Sequence, residues 1–273
     1  MLRQISIEEL QHIQLEMLKV IASICDQHNL RYYLSSGTLL GAVRHQGPIP
    51  WDDDLDIQMP RPDYEQLIYI LHTNSLPSHL EYACLDDRKH ILPFLKIYYK
   101  ESVVIERKLK EPFNKTKIWI DVFPIDGLPS HFLFLQLTFR ISKFLRNALY
   151  TSIVDYKKLE GAQKIGTLIL SPITRFIGAR NIAKMLNWYS QRIRFDSATM
   201  IGQLVWGEHR GEAMNKTDYL LVGDLPYMDY QFHCPQFFDE HLTNLFGDYM
   251  IPPPEGKRVA HSEGEYFLKD EII

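Results

Sequence analysis

The segment PIPWDDDLDIQMP, residues 48–60, places four aspartates within five positions: Asp52, Asp53, Asp54 and Asp56. Carboxylates this close repel one another, and the repulsion raises the pKa of some of them unless a cation neutralises the charge. Hard divalent ions such as Mg²⁺ take carboxylate oxygens as ligands and commonly bind phosphate groups as well. The segment therefore has two interpretations, a solvated acidic turn or the carboxylate part of a metal site.

The residues that follow favour the metal site. Leu55, Ile57 and Met59 alternate with polar residues, which is the period of a half-buried strand. Because side chains two positions apart on a strand point the same way, Asp54 and Asp56 are predicted to present their carboxylates side by side. A calcium-binding EF-hand is excluded, since the sixth loop position would be Ile57 where that loop needs glycine.

A third carboxylate is predicted on another strand. The segment IWIDVF, residues 118–123, places Asp121 on the face opposite Ile120 and Val122. Two acids on one strand and one on a neighbouring strand would make a clamp for metal-assisted phosphoryl transfer, with Mg²⁺ as the expected ion and Mn²⁺ as the alternative. Asp52 is then either a further ligand or a supporting acid.

Several residues are candidates for phosphate binding. In SGTLLGAVRH, Gly37 would allow close backbone approach, and Thr38 with the first helical N–H groups could meet a phosphate. The remaining candidates carry positive charge or can acquire it, namely Arg44, His45, Lys96, Lys257 and Arg258. The C-terminal loop that holds Lys257, Arg258 and His261 is predicted to close over the site. The alternatives are an ordinary helix cap for Gly37–Thr38, a solvated surface lysine for Lys96, and simple turn chemistry for the C-terminal loop.

The surrounding pattern predicts an α/β (α+β) fold, with helices predicted at 6–29, 35–45 and 61–72 and strands between and after them. Residues 131–195 look helical and contain eleven Lys or Arg against two Asp or Glu. We predict one domain spanning 1–273, with 131–195 as a basic helical insertion. Arg140, Lys143 and Arg146 would share one helix side, suited either to anionic membrane lipids or to plain solvation.

Composition narrows the functional classes. The chain has 273 residues, is 45% hydrophobic and 23% charged, and carries a net charge of −4, which gives no indication of nucleic-acid binding. Three scattered cysteines do not form a disulfide framework and fit a reducing cytosol. Neither a signal peptide nor a membrane-spanning run is apparent. The expected location is the cytoplasm, with peripheral contact at the inner face of the membrane as an option.

The block YYLSSGTLLGAVRHQGPIPWDDDLDIQMPRPDYEQL resembles the signature of the LicD family, GTLLGAxRHxGxIPWDDDxDxxMxRxDY. IDVFPIDGLP (120–129) and the terminal GDYM…PP…KR…H resemble further landmarks of that family. The resemblance implies a nucleotidyltransferase-type fold, a mixed sheet flanked by helices. Its glycine turn, Asp-x-Asp strand and third aspartate correspond to Gly37–Thr38, Asp54 with Asp56, and Asp121. Ser36 departs from the glycine that many relatives carry there.

The resemblance also implies a reaction. LicD-type enzymes transfer phosphocholine from CDP-choline to a sugar hydroxyl of a cell-surface glycan or a lipid-linked teichoic acid precursor, releasing CMP. Asp54 and Asp56 would hold the metal on the pyrophosphate, and Asp121 would complete the metal site or accept the proton of the attacking hydroxyl. Three alternatives remain: a transferase using CDP-ribitol (as in the fukutin group) or CDP-glycerol, a glycosyltransferase with an Asp-x-Asp metal site, and an inactive relative serving as a scaffold.

Overall fold

A computed structural model of the chain describes residues 2–74, 76–88, 90–260 and 264–269. The helices of these residues are α1 (Ile7–Gln27), α2 (Ser36–His45), α3 (Arg61–Thr73), α4 (Phe132–Ile153), α5 (Gly161–Ile177), α6 (Ala179–Ser190), α7 (Lys216–Tyr219) and α8 (Phe238–Phe246). The strands are β1 (Leu2–Gln4), β2 (Tyr33–Leu34), β3 (Asp56–Pro60), β4 (Leu80–Ala83), β5 (Leu95–Tyr99), β6 (Ser102–Glu106), β7 (Lys115–Thr116), β8 (Trp119–Leu128), β9 (Met200–Gln203), β10 (Met214–Asn215), β11 (Val222–Tyr227), β12 (Tyr230–Pro235) and β13 (Gly264–Lys269).

Strand β8 is the centre of a seven-stranded mixed sheet. Its ten residues are all buried. On one edge it pairs with β3 in parallel, and on the other it pairs antiparallel with β5 along its first half and with β9 along its second half. The outer strands are β2 beside β3, β4 beside β5 and β10 beside β9. The sheet and its flanking helices confirm the predicted α/β (α+β) fold class.

Two smaller sheets complete the described strands. An antiparallel sheet has the order β1-β13-β6-β7, so that the described C-terminal strand pairs with the N-terminal one. Strands β11 and β12 form a hairpin. This hairpin contributes Tyr227, Phe232 and Cys234 to the same apolar core that lies under the seven-stranded sheet.

Helix α1 begins where the sequence predicts. The Ser6 hydroxyl accepts a hydrogen bond from the Glu9 N–H, and the Glu9 carboxylate accepts one from the Ser6 N–H, which is a capping box. The predicted apolar stripe faces the core, where Leu10, Met17 and Ile21 are buried. Helix α1 therefore covers one face of the sheet.

A buried ion pair joins the central sheet to the helices around it. Arg61 donates from Nε and Nη2 to the two carboxylate oxygens of Asp126, both at 2.7 Å, and both side chains are almost fully buried. Arg61 also donates to Asn187 Oδ1 at 3.2 Å and to Ser190 Oγ at 3.3 Å. Because Arg61 begins α3, Asp126 lies on β8 and the other two lie on α6, the guanidinium ties three elements together.

Residues 131–195 form α4, α5 and α6, so the predicted helical character is confirmed; their status as an insertion within one domain stays a prediction.

The prediction that Arg140, Lys143 and Arg146 share one exposed side of α4 is wrong for Arg146. Arg146 is buried and donates to the carbonyl oxygens of Trp206 and Gly207, because it faces the body of the protein, whereas Arg140 and Lys143 are exposed. Among the described residues, no helix has both the length and the apolar character needed to cross a bilayer.

Candidate active site

Three neighbouring strands bring charged side chains into one row. The parallel register of β3 and β8 places Asp56 opposite Asp121, and the antiparallel register of β5 and β8 places Lys96 opposite the same Asp121. Residues opposite each other on adjacent strands lie on the same face of a sheet. All three side chains line one cleft. The structure therefore brings together the predicted carboxylates of two strands and one predicted phosphate ligand.

Lys96 is buried rather than a solvated surface lysine, because its ammonium is paired inside the cleft. The Lys96 Nζ lies 2.8 Å from Asp121 Oδ1 and donates a hydrogen bond to Asp121 Oδ2 at 3.1 Å. It also lies 4.2 Å from the centre of the Trp119 ring, close enough for a cation–π interaction. These contacts fix the ammonium at the row of carboxylates.

The acidic loop precedes β3 instead of belonging to it. The prediction that Asp54 and Asp56 share a strand is wrong in this respect, because β3 begins at Asp56. The alternation nevertheless extends through the loop: Asp52, Asp54 and Asp56 are half-buried and line the cleft, whereas Asp53 is buried between them. Asp52, Asp54 and Asp56 thus line the same cleft although only Asp56 lies on the strand.

Burial and mutual repulsion disfavour ionisation of these acids. Burial raises the pKa of Asp52 to about 8, and the charge of Asp54 adds to the shift. The pKa of Asp56 is raised well above its ordinary range by burial and by the charges of Asp54, Asp121 and Asp52. Burial also raises the pKa of Asp121, against the opposing effect of Lys96. A bound cation would reverse this balance by favouring the charged forms.

Metal-ligand spacing within the described residues is found for Asp52, Asp53 and Asp54, whose oxygens lie within 4.8 Å of one another. Asp53 already accepts a hydrogen bond on Oδ2 from the buried Tyr266 hydroxyl at 2.7 Å. It also does not line the cleft. Asp53 therefore anchors the loop, while Asp52 and Asp54 offer oxygens on the cleft side, next to Asp56.

Two glutamines of α1, which sequence reasoning missed, hold the backbone of the acidic loop. The Gln11 Nε2 donates to the carbonyl oxygens of Ile49 at 3.0 Å and Asp52 at 2.8 Å. The Gln14 Nε2 donates at 3.1 Å to the Asp53 carbonyl and at 3.1 Å to the Trp119 carbonyl. Their signal in the sequence is a pair of polar residues on the apolar face of a helix, where a buried amide needs partners.

The N-terminus of α2 faces the acidic loop. Ser36 and Gly37 line the cleft, and the N-cap Ser35 makes no side-chain hydrogen bond to the first helical N–H groups. A Cβ on Gly37 would lie 2.7 Å from Asp52 Oδ2, so a side chain at this position would displace the Asp52 carboxylate. Thr38 is buried instead, and its hydroxyl accepts a hydrogen bond from the Asp56 N–H at 2.8 Å. Thr38 thereby positions Asp56, and Gly37 is the residue that adjoins the cleft.

Most of the remaining predicted phosphate ligands gather outside the cleft lining. Arg44 donates from Nε to His45 Nε2 at 3.0 Å and from Nη1 to the Tyr249 carbonyl at 2.8 Å. The Arg258 guanidinium lies 5.2 Å from the centre of the Trp51 ring. The pKa of Arg44 is lowered mainly by its own burial and also by the positive charge of Arg258. These groups therefore form a basic cluster beside the acidic loop.

Among the described residues, Arg44, His45, Lys257 and Arg258 do not line the cleft. Lys257 ends a short 3₁₀-helix, Glu255–Lys257. His261 lies outside the described residues. Phosphate binding by Arg44, His45, Lys257 and Arg258 stays a prediction.

The cleft has a volume of about 1490 Å³. Away from the acidic loop its lining mixes apolar and charged residues with an aromatic wall, which sequence reasoning missed because the rings come from distant segments: Phe94, Tyr98, Phe113, Trp119, Phe123, Tyr150, Trp206 and Phe246. The Phe94 ring centre lies 4.5 Å from that of Phe123 and 5.1 Å from that of Trp206. The cleft therefore joins an acidic end to an aromatic wall.

Comparison with known proteins gives one family model and several relatives. Residues 29–128 match a family model described as LicD/FKTN/FKRP, nucleotidyltransferase domain. The chain is 25% identical to the lipopolysaccharide cholinephosphotransferase LicD of Haemophilus influenzae, across 98% of this chain and 100% of that protein. It is also 31% identical to an uncharacterized protein of Rickettsia prowazekii over 47% of this chain and 45% of that protein. A second uncharacterized protein, from Rickettsia typhi, is 36% identical over 41% of this chain and 43% of its own length.

The matched residues contain the acidic loop, the N-terminus of α2, Lys96 and Asp121. They therefore contain the whole acidic end of the cleft. The chain is therefore similar to the LicD/FKTN/FKRP nucleotidyltransferase domain at the site and to a LicD protein along nearly its full length.

Proposed function

We propose that the protein is a phosphotransferase that moves phosphocholine from CDP-choline to a sugar hydroxyl of a cell-surface glycan or teichoic acid precursor and releases CMP. One observation carries the proposal: the row Asp56–Asp121–Lys96, with Asp52 and Asp54 beside it, lies at one end of a cleft of about 1490 Å³. That volume exceeds the usual range of small-molecule pockets and accommodates a nucleotide donor together with an acceptor sugar. The similarity to a cholinephosphotransferase supports the choice of the transferred group.

The acidic residues fit a divalent cation. They offer only carboxylate oxygens, which suit Mg²⁺ or Mn²⁺, and the pKa values of Asp52 and Asp56 are raised first by burial and then by the negative charge of neighbouring aspartates, which a bound cation would offset. We assign Asp54 and Asp56 as ligands and Asp52 as a further ligand. When bound, Mg²⁺ would supply positive charge that neutralises the pyrophosphate oxygens as the bridging P–O bond breaks.

The other side chains of the acidic end would handle the phosphates and the proton. The N–H groups at the start of α2, around Ser36 and Gly37, and the Lys96 ammonium would contact donor phosphate oxygens. The acceptor hydroxyl attacks the phosphorus that carries choline, the bond from that phosphorus to the CMP oxygen breaks, and CMP leaves with the bridging oxygen. We assign the hydroxyl proton to Asp121: burial raises the pKa of this carboxyl and so strengthens it as a base, while its pair with Lys96 opposes the shift and favours the ionised form that can accept the proton.

The aromatic wall supports choline over other alcohols. A quaternary ammonium has no N–H to donate and binds best against aromatic faces, each worth about 0.5–2 kcal/mol. Trp206 and Phe94 line the cleft in edge-to-face contact. Ribitol and glycerol carry hydroxyl groups that would leave hydrogen bonds unmade against such a wall.

We therefore expect CDP-choline to bind at least severalfold more tightly than CDP-ribitol or CDP-glycerol in the presence of Mg²⁺. Isothermal titration of the three donors measures this directly, and UDP-glucose and GDP-mannose test the glycosyltransferase alternative. Trp206→Leu should weaken CDP-choline binding while leaving CMP binding unchanged. Equal affinities for the three CDP-alcohols would remove choline from the proposal, and tighter binding of a nucleotide sugar would replace the proposal with the alternative.

A further inference from the structure

Helix α5 has its apolar residues on the outside. The side chains of Ile165, Ile169, Ile173 and Phe176 are all largely exposed, Ile169 at 68% and Phe176 at 93%. Their spacing of four, four and three residues puts them along one side of the helix. On the opposite side Thr174 is only 2% exposed. A surface helix of a soluble protein normally has the reverse arrangement, with apolar residues against the core and polar residues in water.

Positive charge accompanies this apolar stripe. Lys164 and Arg175 are both exposed and are eleven residues apart, about three turns, so both lie along the same edge of the stripe. The segment 131–195, which forms α4, α5 and α6, contains eleven Lys or Arg against two Asp or Glu. Long basic side chains beside an apolar face can extend their charges toward anionic groups while their stems cover apolar surface.

The basic edge of the stripe lies near a segment that lines the cleft. The segment 107–113 contributes several residues to the cleft lining and is joined to the end of α4, since the Lys110 N–H donates to the Ile153 carbonyl at 3.0 Å and the Asp155 N–H donates to the Lys108 carbonyl at 3.0 Å. Arg175 of α5 is close enough to Lys110 for their charges to interact. Because Arg107 and Lys108 both line the cleft and are exposed, this part of the lining and the exposed helix belong to one surface.

We propose that this docking face, defined as the α5 stripe (Ile165, Leu168, Ile169, Ile173 and Phe176) with Lys164 and Arg175, lies on the anionic surface of a lipid bilayer. Charge complementarity selects this occupant. An apolar helix face flanked by basic residues matches the boundary between acyl chains and anionic headgroups. A second copy of the chain would bring two basic segments together, which like charges oppose. Docking in this way would bring this part of the cleft lining to the membrane, where a lipid-linked acceptor would be presented.

Flotation with phosphatidylglycerol-containing vesicles tests this proposal. The full chain should float with them at low salt, float less as salt rises because the charges are screened, and stay unbound to pure phosphatidylcholine. Ile169→Ser/Phe176→Ser should weaken binding about tenfold or more because less apolar area is buried. Arg175→Gln should weaken binding about fivefold. The matched controls are Tyr69→Ser, at an aromatic residue of α3 that is 63% exposed, and Arg3→Gln; neither should change binding.

These readouts do not depend on the transfer reaction. Because the substituted α5 residues are already exposed, the variants should keep the parent's melting temperature and its rate of CMP release with water-soluble substrates. The proposal is overturned if the parent shows no salt-sensitive binding to anionic vesicles, or if the α5 variants float as well as the parent does. It is overturned equally if sedimentation shows a dimer of the parent that Ile169→Ser/Phe176→Ser dissociates, since a second copy would then cover the face.

Discussion

Asp54→Asn and Asp56→Asn proteins are expected to lose about a hundredfold or more of the phosphocholine transfer rate while remaining folded. Each change keeps the shape of the side chain and removes a negative charge from the group that faces the cleft. The cation would then bind weakly, and the charge that develops on the transferring phosphoryl group would lose its main stabilisation. Release of CMP from CDP-choline in the presence of an acceptor is the measurement.

Stability of the same variants without metal should be equal to the parent's or slightly higher. The sign follows from the raised pKa of Asp56: a carboxyl whose folded-state pKa exceeds its unfolded value costs stability above the unfolded value, because folding then disfavours the charged form. Asparagine removes that cost. Loss of transfer together with unimpaired melting would therefore separate a lost ligand from a damaged fold.

Two matched variants test which aspartates are the metal ligands. Asp63→Asn removes a charge that is paired with Arg31 outside the cleft, and it should retain the parent's transfer rate. Asp53→Asn keeps an oxygen that can accept from Tyr266, so it should also retain most of the activity. If Asp53→Asn is as inactive as Asp54→Asn, the ligand set is Asp52, Asp53 and Asp54 instead. An Asp56→Asn protein that transfers at the parent rate would exclude a catalytic role for Asp56.

Arg61→Met is expected to lower the free energy of unfolding by about 3–5 kcal/mol, because it leaves the Asp126 carboxylate buried without its partner. The pair is bidentate at 2.7 Å, and Asp126 is almost fully enclosed. Desolvation of an unpaired charge makes the loss larger than that of an ordinary hydrogen bond. Urea unfolding followed by circular dichroism measures it.

The matched control for Arg61 is the more exposed pair of Arg31 and Asp63, whose atoms Nη2 and Oδ2 lie 2.6 Å apart. Arg31→Met should cost about 0–1 kcal/mol, since water screens and solvates the partners. An Arg61→Met/Asp126→Leu protein should recover part of the loss by removing both charges. If Arg61→Met costs no more than Arg31→Met does, the buried pair does not hold α3, β8 and α6 together.

The local elements of this fold could be predicted because they follow from short-range patterns. The Ser6–Glu9 capping box, the apolar stripe of α1 and the alternation through the acidic loop each depend on neighbours within a few positions. The strand patterns also predicted that Asp121 would join Asp54 and Asp56, and the resemblance to a known family implied the same grouping. The register that places Asp56 opposite Asp121 supports that grouping.

The sequence-based predictions fail at residues whose environment depends on contacts with distant parts of the chain. The pattern of its own strand favours a surface lysine at position 96. Only the register between β5 and β8 shows that Lys96 lies opposite Asp121. Arg146 shares a helix side with exposed residues in the sequence pattern but faces the carbonyl groups of Trp206 and Gly207, which are about sixty positions away in the chain. Strand β3 begins only where hydrogen bonding to β8 begins, so alternation extended the predicted strand too far.

The most direct test of the metal-dependent account is the affinity of the parent protein for CDP-choline, measured by isothermal titration with Mg²⁺ and again with a chelator. If the carboxylates facing the cleft hold the cation against the pyrophosphate of the donor, Mg²⁺ should tighten CDP-choline binding by about tenfold or more, and the donor should tighten Mg²⁺ binding by the same factor. Asp56→Asn should abolish most of this coupling. Equal affinities with Mg²⁺ and with the chelator would contradict the account, because no cation would then join Asp56 to the donor.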